Sequence, residues 1–512
     1  MTVSARALID LVVDPGTYVS LDEPPTYGPV SDAYRADLAR ARERSGVDES
    51  VLTGDATVGG TPVTLIVGEF SFLAGSIGHA AAERITAAIE HATSRGLPLI
   101  ASPSSGGTRM QEGTVAFVRM ITVSAAVTAH RAAGLPYLVY LRHPTTGGVF
   151  ASWGSLGHLT FAEPGALVGF LGPRVYEALY GAPFPEGVQT AENLARTGVL
   201  DAVIEPGALR DTLRRVLAVT TPDAPPPAPA TRPPTDETAP AADGSAWQSV
   251  LESRRPDRPG LRELIAVAAD DVTLLSGTGH GDVDSTVVSA LARFRGHPCV
   301  VFGHDRAGQT PERTMGPGAL REARRAMRLA EELRLPLVTV IDTLGASLSR
   351  EAEERGLAPE IARCIADLVT LRTPTVSVLL GQGTGGGALA LLPADRTVAA
   401  AHAWLAPLPP EGASAIVHRD TAHAADLAEA QGIRATDLRA NGVVDTVVDE
   451  GTDGGTDERV DESTAAGTFL TRLGDAVARE LAAISELDDD ARAAARRRRF
   501  RQLGVRLAPD GA

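Results

Sequence analysis

Two stretches decide the fold: Pro144-Thr145-Thr146-Gly147-Gly148-Val149 and Gly383-Thr384-Gly385-Gly386-Gly387-Ala388. Gly147 and Gly385 lie 238 positions apart (385 − 147), and the same offset joins Pro98 to Pro336, Pro136 to Pro374 and Leu99-Ile100 to Leu337-Val338. Gly106-Gly107 falls on Leu344-Gly345, a half match. The register runs without a gap from Pro98 to Gly148. A constant offset of this kind marks an internal duplication. Each copy carries an apolar strand that ends in a glycine-rich turn. The chain therefore predicts two copies of one α/β fold.

Working outward, the first copy alternates strand, glycine turn and helix. Gly59-Gly60 is a turn between paired strands, and His79 to Arg95 is Ala-rich with a helical period. Strands are expected at Pro98 to Ala101, Pro136 to Leu141 and Leu167 to Gly172. Helices are expected from Arg109 to about Ala133 and, with small residues, after Gly147-Gly148. This alternation predicts parallel strands, with helix N-termini offering free N–H groups on the loop side. Ser31 to Arg44 reads as a Ser-capped, solvated surface helix. The second copy repeats the plan. Its strand candidates are Val272 to Leu275, Cys299 to Phe302, Leu337 to Ile341, Val376 to Leu380 and Thr397 to Leu405. Its Leu320 to Leu333 helix carries Arg321, Arg324, Arg325 and Arg328. A loop from Gly451 to Thr464 leads to a final helix, and the tail run Arg496 to Arg499 with Arg501 reads as a solvated face. Residues 222–246, rich in Pro, Ala and Thr, read as an extended linker. The expected domains are 1–221 and 247–512.

The chain has 512 residues and a net charge of −16, which argues against nucleic acid as a general partner. Aromatic residues are only 4%, so the cores must be built from Ala, Val, Leu and Ile. Cys299 and Cys364 form no CxxC, so neither a zinc ribbon nor a CxxC redox pair is offered, and a cytoplasmic location fits. No signal peptide is read at the start, and no uninterrupted apolar run approaches a membrane span.

Conventional catalysts are absent from the sequence. There is no GxSxG, HExxH or P-loop lysine motif. Gly381, Gly383 and Gly386 fit GxGxxG, but the acidic residue that a dinucleotide site needs about 20 positions later is missing. What remains is main-chain N–H groups at helix starts in both copies. Such groups stabilise an oxyanion, and glycine lets a carbonyl approach with no Cβ in the way. Glycines at matched positions favour a functional use over tight packing alone. Two oxyanion sites suggest two carbonyl substrates reacting together, a thioester and a second carbonyl compound such as a carboxylated urea.

These residues carry a family resemblance. Residues 52–205 resemble the beta subunit of the bacterial acetyl-CoA carboxylase carboxyltransferase, through FSFLAGSIG (70–78), SGGTRMQEG (105–113), PTTGGVFA (144–151) and EPGALVGFLGPR (163–174). Residues 300–450 and the tail resemble the alpha subunit, through Gly303-His304, the Arg-bearing helix, Ile341-Asp342-Thr343, AEERG (352–356), GGGALA (385–390) and PEGAS (410–414). The resemblance implies two tandem crotonase-type (ClpP-like) domains. It also implies transfer of CO2 from carboxybiotin to acetyl-CoA or a homologue, giving malonyl-CoA or its counterpart. Biotin itself would serve as base, so no catalytic side chain would be required. Gly147 and Gly148 would hold the thioester carbonyl, and Gly386, Gly387 and Ala388 the ureido oxygen. Gly106, Gly107, Arg109, Gly172 and Gly345 would line the substrates. The implied partners are a separate biotin carboxyl carrier protein, a biotin carboxylase and a second copy of this chain. In the family the site forms between the first domain of one protomer and the second domain of another.

The chain departs from that pattern in three places. The beta subunit's four-cysteine zinc ribbon is missing, so no metal is expected. The Asp-Thr-Pro-Gly-Ala-Tyr loop reads Asp342-Thr343-Leu344-Gly345-Ala346-Ser347. The glycine before the alpha helix's basic face is replaced near Glu322. The alternative readings are a biotin-independent decarboxylase of malonyl-type thioesters and a scaffold without chemistry.

Overall fold

A computed structural model describes residues 3–28, 30–221, 244–451 and 464–503, without the side chains of residues 173 and 174. The chain divides into two compact units, Met1–Asp223 with Leu275–Gly281, and Ala224–Leu274 with Asp282–Ala512. Most of the expected linker, 222–243, and most of the Gly451 to Thr464 loop lie outside the described residues. The last residue of the expected linker is helical. Ser245 Oγ caps the helix Ala246–Ser253 by accepting from the Gln248 N–H.

The first module holds a seven-stranded sheet and a small two-stranded ladder. Its strands are β1 (Val19–Ser20), β2 (Val51–Val58), β3 (Thr61–Gly68), β4 (Leu99–Ser102), β5 (Tyr137–Leu141), β6 (Thr145–Thr146), β7 (Leu159–Ala162), β8 (Val168–Gly169) and β9 (Ala202–Val203). The main sheet runs β1-β2-β3-β4-β5-β7-β9, and β6 pairs with β8. β2 and β3 form an antiparallel hairpin, closed by Gly59 and Gly60 at φ +56° and +85°. Two consecutive positive φ angles suit a tight hairpin turn, which explains the paired glycines. From β3 onward the neighbours are parallel.

The helix His79–Arg95 matches its expected bounds. Its buried Ala81, Ile85, Ala88, Ile89 and Ala92 recur at helical spacing and join Leu99, Val123, Val127, Tyr137 and Val139 in one core. Gly96, at φ +66°, ends it in the left-handed conformation that glycine adopts without strain.

Three expectations are corrected in this module. The sheet strand after β5 is Leu159–Ala162, not Leu167 to Gly172, which supplies only the two-residue β8. No α-helix follows Gly148. The chain makes one turn, with Ala151 N–H donating to the Gly147 carbonyl, and then a short 3-10 segment at Trp153–Ser155. The Asp32–Ser45 helix is capped by Ser31 as expected, yet it buries Tyr34, Leu38 and Ala41. The helix Gly113–Ala132 was anticipated. With the preceding turn, Met110–Ala132 passes for a membrane span by length and composition alone, a test that helices of soluble proteins also pass.

The second module has an eight-stranded sheet: β10 (Ala269–Leu275), β11 (Val287–Phe294), β12 (His297–His304), β13 (Leu337–Thr343), β14 (Thr375–Thr384), β15 (Arg396–Ala400), β16 (Trp404–Ala406) and β17 (Thr446–Val448). The order is β10-β11-β12-β13-β14-β15-β17, with β16 on β14. The expected Thr397 to Leu405 strand is therefore two strands, and β11 escaped the sequence reading. β13 and β14 begin at Leu337 and Thr375, and β4 and β5 at Leu99 and Tyr137, so the sequence offset is a structural equivalence. Isolated parallel bridges repeat it, Ile77 with Thr108 and Met315 with Ala346.

The tail is solvated only in part: Arg497, Arg498 and Arg501 are exposed, and Arg496 and Arg499 are not. In the helix Asp489–Gln502, Arg496 is buried and pairs with Asp395 at 2.7 Å, and it also donates to the carbonyls of Leu368, Leu371 and Thr373. Arg499 donates to Asp445 and to the Val443 carbonyl, both at 2.6 Å. The run clamps the ends of the second sheet.

Candidate functional site

In the first module two glycine loops leave the C-terminal ends of β4 and β5 and press together. Ser105 N–H donates to the Pro144 carbonyl at 2.7 Å, and Thr146 N–H returns to the Ser105 carbonyl at 2.9 Å. A Cβ on Gly107 would meet the Gly147 Cα and the Thr146 oxygen, each at 3.6 Å. The missing side chains thus let the two backbones touch. Gly106, the exposed member, donates its N–H to the Ala74 carbonyl at 2.9 Å. Gly107 donates to Ser105 Oγ at 3.0 Å.

Gly147 and Gly148 differ in availability. Gly147 sits at φ +68° and gives its N–H to the Phe170 carbonyl at 2.9 Å, so it cannot also serve a ligand oxygen. The N–H groups of Gly148 and Val149 have no acceptor among the described residues. They start the single turn after the loop and are the module's open donors. Gly172 caps the helix Pro173–Tyr180, two residues beyond Phe170, with nothing within 4 Å of where its Cβ would be.

The second module repeats this arrangement. Gly345 N–H donates to Thr343 Oγ1 at 3.0 Å, as Gly107 does to Ser105. Gly345 has φ +126° where Gly107 has +111°, and Gly385 has +62° where Gly147 has +68°. A Cβ on Gly387 would meet the Ala346 nitrogen at 3.4 Å and the Gly345 carbonyl carbon at 3.5 Å, so these loops also pack together. Gly386 and Gly387 occupy the second and third positions of the short helix Gly385–Leu389, where the helix offers their N–H groups no acceptor of its own. Ala388 is fourth and buried, where helical geometry aims its N–H back at Thr384. Thr384, which precedes this helix, has a buried Oγ1 without a hydrogen-bond partner.

Arg109 is not on the open side of its loop. Its guanidinium has no exposure and reaches Glu49, the Ser76 carbonyl at 2.7 Å and Ser50 Oγ at 3.1 Å. Burial alone would push the Glu49 carboxyl up and the guanidinium down. The hydrogen-bonded charge pair outweighs it, holding Glu49 below the carboxylate range and Arg109 above its own. Arg109 therefore anchors the 105–109 loop from beneath. Glu112 adds a second tie, accepting from the His79 N–H and the Tyr34 hydroxyl, each at 2.5 Å.

Arg142, at the end of β5, is buried among carbonyls. It donates to Ser102 Oγ and the Val3 carbonyl, each at 2.9 Å, and to the carbonyls of Ser102 and Gly68. Burial pushes it down to about 10, still charged at neutral pH. In the second module Asp342 lies under the loops. It accepts from the Gln382 N–H at 2.9 Å and from Arg306 at 3.2 Å. A Cβ on Gly381 would stand 2.3 Å from Asp342 Oδ1, which accounts for that glycine without a dinucleotide. His304 is fully buried between Met315 Sδ and the Val340 carbonyl, and burial lowers it to about 4.

The sequence reading brought the right loops together but missed what holds them. Glu49 lies far from Arg109 along the chain and carries no local signal. Thr146 and Thr384 did carry one, since they stand within the quoted stretches at the repeat offset. Among the described residues, no group of three or more His, Cys, Asp or Glu gathers as a metal site.

Both modules thus place main-chain N–H groups at the C-terminal ends of parallel strands, the arrangement expected of a carboxyltransferase. Residues 4–464 match the carboxyl transferase domain, and the chain belongs to that family. It is similar to the probable biotin-dependent acyl-coenzyme A carboxylase beta3 subunit of Mycobacterium tuberculosis, 59% identical over 494 residues, covering 96% of this chain and 97% of the relative. It is 38% identical over 519 residues to the acetyl-coenzyme A carboxylase carboxyl transferase subunits beta/alpha of Salinispora arenicola, covering 98% and 90%. Its fold resembles the transcarboxylase 12S crystal structure with methylmalonyl-coenzyme A bound, at TM-score 0.73 and 19% identity, over 95% of this chain and 90% of that one. The protein is a carboxyltransferase enzyme of the biotin-dependent acyl-CoA carboxylase class.

Proposed function

We propose that the first module's open amides, Gly148 with Val149, hold the thioester oxygen of an acyl-CoA, and that Gly386 and Gly387 hold the ureido oxygen of carboxybiotin. The observation that carries this assignment is that Gly148 and Val149, whose N–H groups have no acceptor among the described residues, stand at the repeat offset from Gly386 and Gly387, which open a helix. Charge that develops on an oxygen is stabilised by fixed donors more in the transition state than before it. Two N–H groups and the unbonded Thr384 hydroxyl suit a carbonyl oxygen, so the second loop fits the ureido group. When bound, carboxybiotin supplies the CO2 that the α carbon of the thioester receives. Gly106, Gly107 and Gly345 shape the two loops for close approach, Gly172 borders the first, and Arg109 is a positioning residue.

The acceptor is acetyl-CoA or a near homologue. The partners are a separate biotin carboxyl carrier protein and a biotin carboxylase, and the chain works as a homodimer or larger homo-oligomer. The relatives' description as one subunit of a carboxylase supports this. The test supplies carboxylase, carrier, ATP and bicarbonate with acyl-CoAs of several lengths and measures carboxylated thioester. Carboxylation that depends on the carrier supports the reading, and no product from any acyl-CoA rejects it.

A further inference from the structure

We infer that Gln309 is a positioning residue for the second glycine loop, and through it for the donors of Gly386 and Gly387; this rests on the role proposed above for those donors. The duplication itself makes the comparison. In the first module the N–H of Gly106 is held by a backbone carbonyl, that of Ala74, at 2.9 Å. The residue at the repeat-related position in the second module is Leu344. Its N–H goes instead to a side chain, Gln309 Oε1, at 3.2 Å. The same oxygen accepts from the Thr343 hydroxyl at 3.0 Å.

The other end of that amide group completes the brace. Gln309 Nε2 donates to the Asp342 carbonyl at 2.9 Å and the Asp305 carbonyl at 3.2 Å. A carboxamide has two donors and an oxygen with two lone pairs, so all of Gln309's hydrogen-bonding capacity is used. Three consecutive residues, Asp342, Thr343 and Leu344, are fixed by one side chain. Gly345 follows directly, held to Thr343 Oγ1 and packed on Gly387. Loosening Gln309 therefore moves the floor on which the Gly386–Gly387 turn rests, without touching the first module's loops.

The experiment compares Gln309→Met, which keeps the length and removes every polar contact, with Gln309→Glu, which keeps the acceptor and loses both donors. Steady-state kinetics are measured with carrier-borne carboxybiotin and acyl-CoA varied separately. The expected result for Gln309→Met is a fall in kcat/KM for the carboxybiotin donor of roughly ten- to a hundredfold, the scale of a small misplacement of reacting groups. KM for acyl-CoA and the thermal midpoint stay near wild type, and Gln309→Glu, which turns a carboxylate oxygen toward two carbonyl oxygens, loses at least as much. Thr343→Val is made alone and with Gln309→Met. Losses that do not add support one shared loop. Unchanged donor kinetics in Gln309→Met, an effect on acyl-CoA alone, or full additivity with Thr343→Val would overturn the inference. An inactive wild type would instead reject the functional reading beneath it. If Gln309→Met does not fold, the comparison is made with Gln309→Glu and Thr343→Val.

Discussion

Gly107 and Gly147 face each other across the first module's loop pair, so that a Cβ on Gly147 would stand 3.3 Å from the Gly107 Cα. Gly147 also has φ +68°, a conformation that costs an L side chain roughly 1–2 kcal/mol. Gly148 is different. It lies outside the left-handed region, and its Cβ would make contacts of 3.4 Å with Thr108 Oγ1 and 3.7 Å with Met120 Cγ. The two neighbours therefore separate folding from function.

Gly147→Ala is expected to lower the thermal midpoint and to lower activity with it. Gly148→Ala is expected to keep its midpoint within a degree or two and to lose about tenfold or more in kcat/KM for acyl-CoA, because the methyl fills the approach to the open N–H groups. Calorimetry and steady-state kinetics on both variants check this. Full activity in Gly148→Ala would falsify the placement of the thioester.

The buried pair of Arg109 and Glu49 sets a second expectation. Arg109→Met leaves a buried carboxylate without its cation, which costs about 3–5 kcal/mol. Adding Glu49→Gln should restore part of that loss, as urea denaturation of the single and double variants would read. The pair also has a pH sense. Glu49 is held below its unfolded value, so its contribution is present above about pH 4.5 and disappears as pH falls through the folded-state value.

His304 and His130 should make the protein acid-sensitive earlier than Glu49 does. Both are buried and lowered to about 4, against about 6.5 when unfolded. Between those values the unfolded chain binds more protons than the folded one. Stability is full above pH 6.5 and falls with decreasing pH, by up to about 1.4 kcal/mol per pH unit for each ring. Denaturation midpoints from pH 7.5 to 4.5 measure the slope. His304→Gln is expected to flatten it, and an equal slope in wild type and variant counts against this account.

Removing the tail clamp tests whether the basic run is structural. Arg496→Met leaves Asp395 with Arg492 at 3.7 Å and with the Thr375 N–H at 2.8 Å and hydroxyl at 2.9 Å. Because one cation remains, the expected loss lies below the roughly 3–5 kcal/mol of an uncompensated buried charge, at about 2 kcal/mol. Arg498→Met, on the same helix and with no partner described, should lose almost nothing. Equal losses in the two variants would contradict the clamp.

What the sequence disclosed was the periodic part. The repeat offset and apolar runs placed β4, β5, β13 and β14 and the helix His79–Arg95 within a residue or a few. It misplaced the strand after β5 because Leu167 to Gly172 is as apolar as Leu159–Ala162, and only pairing chooses between them. Nothing local marks Arg496 and Arg499 as clamped, because their partners lie at least 101 and 54 residues away along the chain. In the site, glycine positions were legible and amide availability was not. Whether Gly147 or Gly148 is open depends on the Phe170 carbonyl, whose place no local pattern encodes.

The N–H groups of Gly148, Gly386 and Gly387 belong to the peptide itself, so no side-chain substitution removes them. An alanine scan across this chain would crowd the donors or shift their loops and leave the donors themselves in place. Deleting one needs chemistry on the main chain, such as replacing one peptide linkage with an ester, which exchanges a single N–H for an oxygen and leaves every side chain as it was.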